Sequence, residues 1–113
     1  DMHFTNVVFN LMDNAVKYRR KDSALELKIT TWNEPKRLCI SIQDNGIGIK
    51  KDDLKKIFEK FYRVPTGNLH DVKGFGLGLA YVDKIIKDHK GSIHAESEVG
   101  IGTRFVIKLP SLA

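Results

Sequence analysis

Apolar residues at Phe4, Val7, Val8, Leu11, Met12, Ala15 and Val16 recur in steps of three and four. That spacing predicts an amphipathic helix over residues 3–19 with these positions on one buried face. Residues 24–31 alternate instead, with Leu25, Leu27 and Ile29 on one side, and residues 37–43 repeat the alternation with Leu38, Ile40 and Ile42. Two such runs around the turn residues Asn33-Glu34-Pro35-Lys36 predict an antiparallel hairpin. A glycine-bearing loop at 44–49 precedes a short helix expected over 51–58 and an aromatic run of Phe58, Phe61 and Tyr62. Residues 64–73 hold Pro65, Gly67 and Asn68 with little apolar content and read as a mobile loop. Leu79, Val82, Ile85, Ile86 and His89 then mark a second amphipathic helix, expected to be capped near Gly91. Strands over 92–97 and 103–109, joined through Gly100-Ile101-Gly102, complete the chain.

Hairpins with one apolar face and helices with one apolar stripe must cover each other. The expected fold class is therefore α/β: a two-layer sandwich whose mixed, mostly antiparallel sheet carries helices on one face. Strands that neighbour each other in sequence argue against a doubly wound fold. The 113 residues fit one domain, residues 1–113, with enough length for a real core. A composition of 42% hydrophobic and 29% charged residues excludes a disordered or fibrous chain. No apolar run approaches the roughly 20 residues of a membrane span. The single Cys39 cannot form an internal disulfide, which points to a reducing, cytoplasmic compartment. Between Leu38 and Ile40 it points away from their apolar set and is expected to be structural and unreactive. The start at Asp1 reads as a piece of something longer.

A net charge of +5 raises the question of a polyanionic partner. The cluster Lys17-Tyr18-Arg19-Arg20-Lys21 falls at the expected end of the first helix, where cations complement the helix dipole. The second, Lys50-Lys51-Asp52-Asp53-Leu54-Lys55-Lys56, mixes signs as a solvated helical face does. Neither interleaves aromatic residues as a stacking platform would, so no nucleic-acid partner is expected.

Chemistry concentrates at three places. Asn10, Asn14 and Lys17 share one stripe beside the apolar face of the first helix. Asparagine is a poor helix former, so two on one stripe suggest either a solvated flank or oxygen ligands beside a cation for a metal–phosphate group. Asp44-Asn45-Gly46-Ile47-Gly48 ends a strand with an acid and two glycines. A tight turn accounts for the glycines; the functional alternative gives Asp44 to a base or sugar, with a flat ring against bare backbone. Gly74-Phe75-Gly76-Leu77-Gly78 alternates three glycines ahead of a helix, a way of cradling phosphate with backbone amides. It is neither the dinucleotide fingerprint nor a Walker A loop.

Taken in order, these segments resemble the catalytic and ATP-binding domain of sensor histidine kinases, in the superfamily that also holds gyrase, the heat-shock chaperone and MutL-type ATPases. The stretch from Phe9 to Tyr18 resembles the family's N box, and Asp44 through Gly48 its first glycine box. Ile57 through Arg63 resembles the F box, Gly74 through Gly78 the second glycine box and Gly102-Thr103 the last. The resemblance covers nearly the whole chain and implies the Bergerat ATP-binding fold, with ATP and Mg²⁺ as ligands.

By that resemblance, Asp44 accepts a hydrogen bond from the adenine amino group, with Thr103 near the ring and Tyr18 packed beside it. Asn14 supplies an amide oxygen to Mg²⁺ with Asn10 next to it, and Lys17 meets phosphate. Gly46 and Gly48 line the base, Gly74, Gly76 and Gly78 line the phosphates, and Arg63 approaches the γ-phosphate under a lid at 64–73. Hydrolysing relatives carry a glutamate four residues before the magnesium asparagine. Asn10 stands there, and an amide cannot take a proton from water near neutral pH. Asn10, Lys17 and Arg63 are thus the candidate catalytic residues of a phosphotransfer enzyme in which hydrolysis is slow.

The acceptor implied by the family is a histidine, usually followed by an acid, on a helical dimerisation domain. Of His3, His70, His89 and His94, only His70 has the following acid, Asp71, and it falls in the expected lid. The chain is therefore not expected to autophosphorylate alone. Its expected partners are the histidine-containing dimerisation domain of the same kinase and, indirectly, a response regulator; membrane attachment would come only through other parts of the parent, expected to be an inner-membrane sensor. Family domains generally have a strand before the N-box helix, so this chain is expected to lack an edge strand and to be prone to pairing there. The alternatives are an anti-sigma-factor-type serine kinase and a degenerate nucleotide-binding interaction module. Lys17-Tyr18 and the Phe61-Tyr62-Arg63 run favour the histidine kinase over the first. Asn10, Asn14, Lys17 and Asp44 together argue against the second.

Overall fold

Two hairpins build the sheet in the computed structural model, which describes residues 2–59 and 78–110. Strand β1 (Leu27–Glu34) pairs with β2 (Arg37–Asp44), and β3 (Ser92–Glu98) pairs with β4 (Gly102–Pro110). β2 and β4 join the hairpins, with Ile42 opposite Phe105 and Ile40 opposite Ile107, in the order β1-β2-β4-β3. All three described pairings are antiparallel.

The first hairpin is tighter than the sequence suggested. The strand runs on through Asn33 and Glu34, leaving only Pro35 and Lys36 in the turn. Proline presets the first turn position, and Lys36 takes the left-handed second position at φ 62°. β1 also begins at Leu27 rather than at residue 24. The residues before it are fastened by Asn45, whose Nδ2 donates to the Ala24 carbonyl (2.9 Å) and whose Oδ1 accepts from the Glu26 N–H (2.8 Å).

Helices α1 (Met2–Lys17) and α3 (Gly78–Asp88) cover one face of the sheet. Val7 and Leu11 of α1 and Val82 and Ile86 of α3 pack with Ile42, Phe105 and Ile107 in one cluster. Burying each such side chain contributes about 1.5–3 kcal/mol, which is what holds the layers together. Helix α2 is a single turn, Lys51–Leu54, and not the 51–58 helix expected. The chain continues in turns that sink Ile57 into the core and set Phe58 edge-on to Phe105, ring centroids 6.3 Å apart.

The buried stripe of α1 is narrower than its apolar residues. Val7, Leu11 and Ala15 are buried, whereas Met12 and Val16 are exposed and Phe9 is 67% exposed. The helix is rolled so that its asparagine flank, Asn10 and Asn14, is half-buried instead. The Phe4 side chain lies outside the described residues. On β1, Ile29 is 55% exposed, and the core cluster contains no β1 residue.

Helix α3 ends by a different device from the glycine cap expected. Lys90, at φ 62°, holds the left-handed position, and the Gly91 N–H returns to the Ile86 carbonyl at 2.9 Å. Gly91 is needed because a Cβ there would meet the Lys108 carbonyl at 2.5 Å. His89 falls just past the helix, its ring Nδ1 2.8 Å from the Ile85 carbonyl. Among the described residues no helix is long and apolar enough to cross a membrane.

Candidate functional site

Three backbone segments meet at the end of β2, and glycines let them touch. The Tyr18 carbonyl, just past α1, accepts the Ile47 N–H at 3.0 Å, and the Ile47 carbonyl accepts the Gly100 N–H at 2.9 Å. A Cβ on Gly46 would meet the Tyr18 carbonyl at 2.5 Å. On Gly48 it would run into the Glu98 carbonyl, and on Gly102 into the Asp44 carbonyl. Gly48 and Gly102 also have φ of 79° and 145°, which L side chains rarely adopt. What approaches Gly46 and Gly48 here is protein backbone, so these glycines shape the floor.

Asp44 sits half-buried at that floor. Its Oδ1 accepts from the Gly46 N–H at 2.8 Å and from the Thr103 N–H at 3.2 Å. Its Oδ2 has no hydrogen-bond partner among the described residues. Burial pushes the carboxyl above the usual aspartate range, and the two backbone N–H groups offset only part of that. The result is a fixed carboxylate with one oxygen committed to the fold and one presented outward.

Thr103 is buried beside it. Its Oγ1 lies 2.8 Å from Ser97 Oγ, which also donates to the Gly102 carbonyl (2.8 Å) and accepts from the Ile49 N–H (2.7 Å). Ser97 has one hydroxyl hydrogen; with it on Gly102, Thr103 must donate to Ser97 and keeps its own lone pairs free. Ser97 and Asn45 are site residues the sequence reading missed. The signal for Ser97 was a hydroxyl on the apolar side of β3, directly opposite Thr103.

Along α1, Asn10, Asn14 and Lys17 line up half-buried as the helical spacing requires. Asn10 Nδ2 donates to the Asn6 carbonyl at 2.8 Å, which leaves its oxygen outward. The Asn14 amide has no hydrogen-bond partner among the described residues. Lys17 pairs with Asp13 at 2.7 Å. No group of three His, Cys, Asp or Glu among the described residues could hold a metal alone. A cation here would therefore rest on amide oxygens, water and a ligand's phosphates, a set that suits Mg²⁺. Gly78 opens α3. Arg63, Gly74 and Gly76, the aromatic pair Phe61 and Tyr62, His70-Asp71 and the expected lid at 64–73 lie outside the described residues.

The sandwich thus carries a half-free carboxylate at a glycine-built floor beside an asparagine-bearing helix. Residues 1–113 match the family described as histidine kinase-, DNA gyrase B- and HSP90-like ATPase, and the chain belongs to that family. It is 71% identical over 112 residues to the sensor protein RprX of Bacteroides fragilis, covering 99% of this chain and 22% of that protein. The chain thus spans about a fifth of that relative's length. Among solved structures, the mycobacterial sensor histidine kinase MprB superposes with a TM-score of 0.83 at 25% identity, over 96% of this chain and 72% of that one. Full-length ShkA in complex with AMPPNP superposes at 0.78 with 29% identity, over 96% of this chain and 21% of that one. The fold is the α/β ATP-binding fold of histidine kinase catalytic domains.

Proposed function

We infer that this domain binds Mg-ATP in the cytoplasm and donates the γ-phosphoryl group to a histidine on a separate dimerisation domain of a two-component sensor kinase. The observation that carries the reading is Asp44, an oriented carboxylate with a free Oδ2. Adenine offers the matching donor in its exocyclic amino group. Thr103, with its lone pairs open, would meet the ring directly or through water. Asn14, with Asn10 beside it, would hold Mg²⁺, which neutralises phosphate charge as the phosphoryl group moves.

In the transfer, the bond from the γ-phosphorus to the bridging oxygen breaks as a bond to the imidazole nitrogen forms, and ADP leaves. Lys17 would exchange Asp13 for a phosphate, while Arg63, Gly74, Gly76 and Gly78 complete the phosphate end. Asn10, an amide bonded to the Asn6 carbonyl, cannot activate water, so ATP is held for a protein nucleophile. The acceptor histidine, the response regulator downstream and any membrane anchor belong to the rest of the sensor. The domain is proposed to occupy residues 1–113, with β1 and β3 as the two edges of the described sheet.

Titration calorimetry with a non-hydrolysable ATP analogue, with and without Mg²⁺, tests the reading. Binding is expected to be magnesium-dependent in the wild type and magnesium-insensitive in Asn14→Ala. Phosphohistidine is expected only when a histidine-bearing dimerisation domain is added with ATP. A folded wild type that binds no analogue refutes the proposal.

A further inference from the structure

The face of the sheet turned away from the helices carries a second polar site. Register places Lys28, Gln43, Arg104 and Glu96 in one row across the strands, and Thr30, Ser41, Val106 and His94 in the next. Lys28, Thr30, Trp32, Ser41, Gln43 and Arg104 line an open depression of about 510 Å³. Ser41 is 3% exposed, yet its hydroxyl has no hydrogen-bond partner among the described residues and is not sealed from solvent. Lys28 and the Gln43 amide likewise have no partner among the described residues. A hydroxyl without a protein partner among the described residues, one row along the strands from Lys28 and Arg104 and lining the opening, can donate to an acceptor placed there.

The surroundings restrict what that acceptor is. Arg104 reaches Glu96 at 3.3 Å while its guanidinium lies 5.7 Å over the Trp32 ring. The ring is thus occupied by a cation, which leaves no stacking platform for a base. Glu34, bonded by the Trp32 indole N–H at 3.2 Å and by Lys108 at 3.2 Å, stands on one side of the depression and Glu96 on the other. Two acids flanking the opening repel an extended phosphate backbone but leave room for one compact anion between them. The depression is too open to enclose a free small molecule, which needs most of its surface buried. It suits a side chain presented from another surface.

We propose that this outer depression is a docking site for one carboxylate side chain presented from the surface of a partner protein, gripped by Lys28 and Arg104 with Ser41 and Gln43 donating hydrogen bonds. The site is independent of the nucleotide reading, although it lies back to back with it: Gln43 precedes Asp44 and Arg104 follows Thr103, on opposite sides of the same strands.

Trp32 is the only tryptophan in the chain, so its emission reports on the depression directly. The 113-residue chain is titrated with a capped Ser-Glu-Ser peptide, its Ser-Gln-Ser counterpart, inorganic phosphate and a single-stranded oligonucleotide. The acidic peptide is expected to give a saturable change that the amide peptide does not. Lys28→Gln should weaken it about tenfold or more, as loss of a charged partner does, and leave ATP-analogue binding unchanged. Ser41→Ala should weaken it less. The proposal is overturned if the acidic peptide gives no saturable change or if Lys28→Gln binds it as the wild type does. It is equally overturned if phosphate or the oligonucleotide binds as tightly as the peptide, since the site would then serve a free oxyanion or a nucleic acid.

Discussion

Replacing Asp44 with asparagine separates the two oxygens of its carboxylate. The asparagine carbonyl can keep both bonds that Oδ1 makes, from Gly46 at 2.8 Å and Thr103 at 3.2 Å. Its amide nitrogen then stands where Oδ2 was and would turn a donor toward the amino donor of the proposed adenine. Losing a hydrogen bond to a charged group costs about 1.5–3 kcal/mol, or roughly 10–150-fold in affinity. Stability moves the other way or hardly at all, because a half-buried charge is removed and both backbone partners stay satisfied. Asp44→Ala strips the acceptor from two backbone N–H groups, at about 1–3 kcal/mol each if they go unsatisfied. At about 4–8 °C per kcal/mol for a domain of this size, the alanine variant melts about 8 °C or more below wild type. Calorimetry with an ATP analogue and thermal melts of the three proteins read both quantities. An asparagine variant that binds within about threefold of wild type, or melts as low as the alanine variant, refutes the reasoning.

Three further outcomes are expected. Because burial raises the Asp44 carboxyl, analogue binding weakens on acidification with a midpoint above 3.8, and Asp44→Asn lacks that limb; the folded state holds this proton more tightly than the unfolded one, so Asp44 taken alone favours the fold as pH falls through its raised value. Gly100→Ala, at φ 85° with open space around it, loses about 1–2 kcal/mol in urea titrations, whereas Gly102→Ala meets the Asp44 carbonyl and loses more than about 3 kcal/mol together with nucleotide binding. Phe105→Ala removes a ring buried under Phe58 and costs about 3–5 kcal/mol of stability by the same measurement, with loss of the cooperative transition as the extreme result.

The two hairpins and the long helices were legible because alternation and three-to-four spacing are local; the β2–β4 pairing that joins the hairpins is not sequential and was not legible in that way. The boundaries were less legible than the elements. Pro35-Lys36 and Lys90 show why: each turn uses a lysine in a left-handed conformation, where composition points to glycine or asparagine. The orientation of α1 was misjudged because Met12 and Val16 are as apolar as Leu11, and only the finished sheet decides which of them it covers. Cys39 was expected on the face opposite Ile40, and it stands there between Trp32 and Lys108 in register, yet it is 0% exposed. Burial pushes its thiol up, which fits an unreactive cysteine. At the candidate site, motif order singles out Asp44, Thr103 and the asparagines for the proposed roles. Ser97 and Asn45 could not be found that way, since their parts depend on which strands lie side by side.

The half-committed carboxylate of Asp44 also bears on which purine the proposed site accepts. Guanine carries a carbonyl oxygen where adenine carries its amino group. An ionised Asp44 would set acceptor against acceptor, with the glycine-built floor too tightly fastened to move aside. Discrimination against GTP is then a property of one proton: once Asp44 is protonated, Oδ2 becomes a donor that guanine can use. Since burial favours that proton, the preference for adenine should narrow as the solution is acidified.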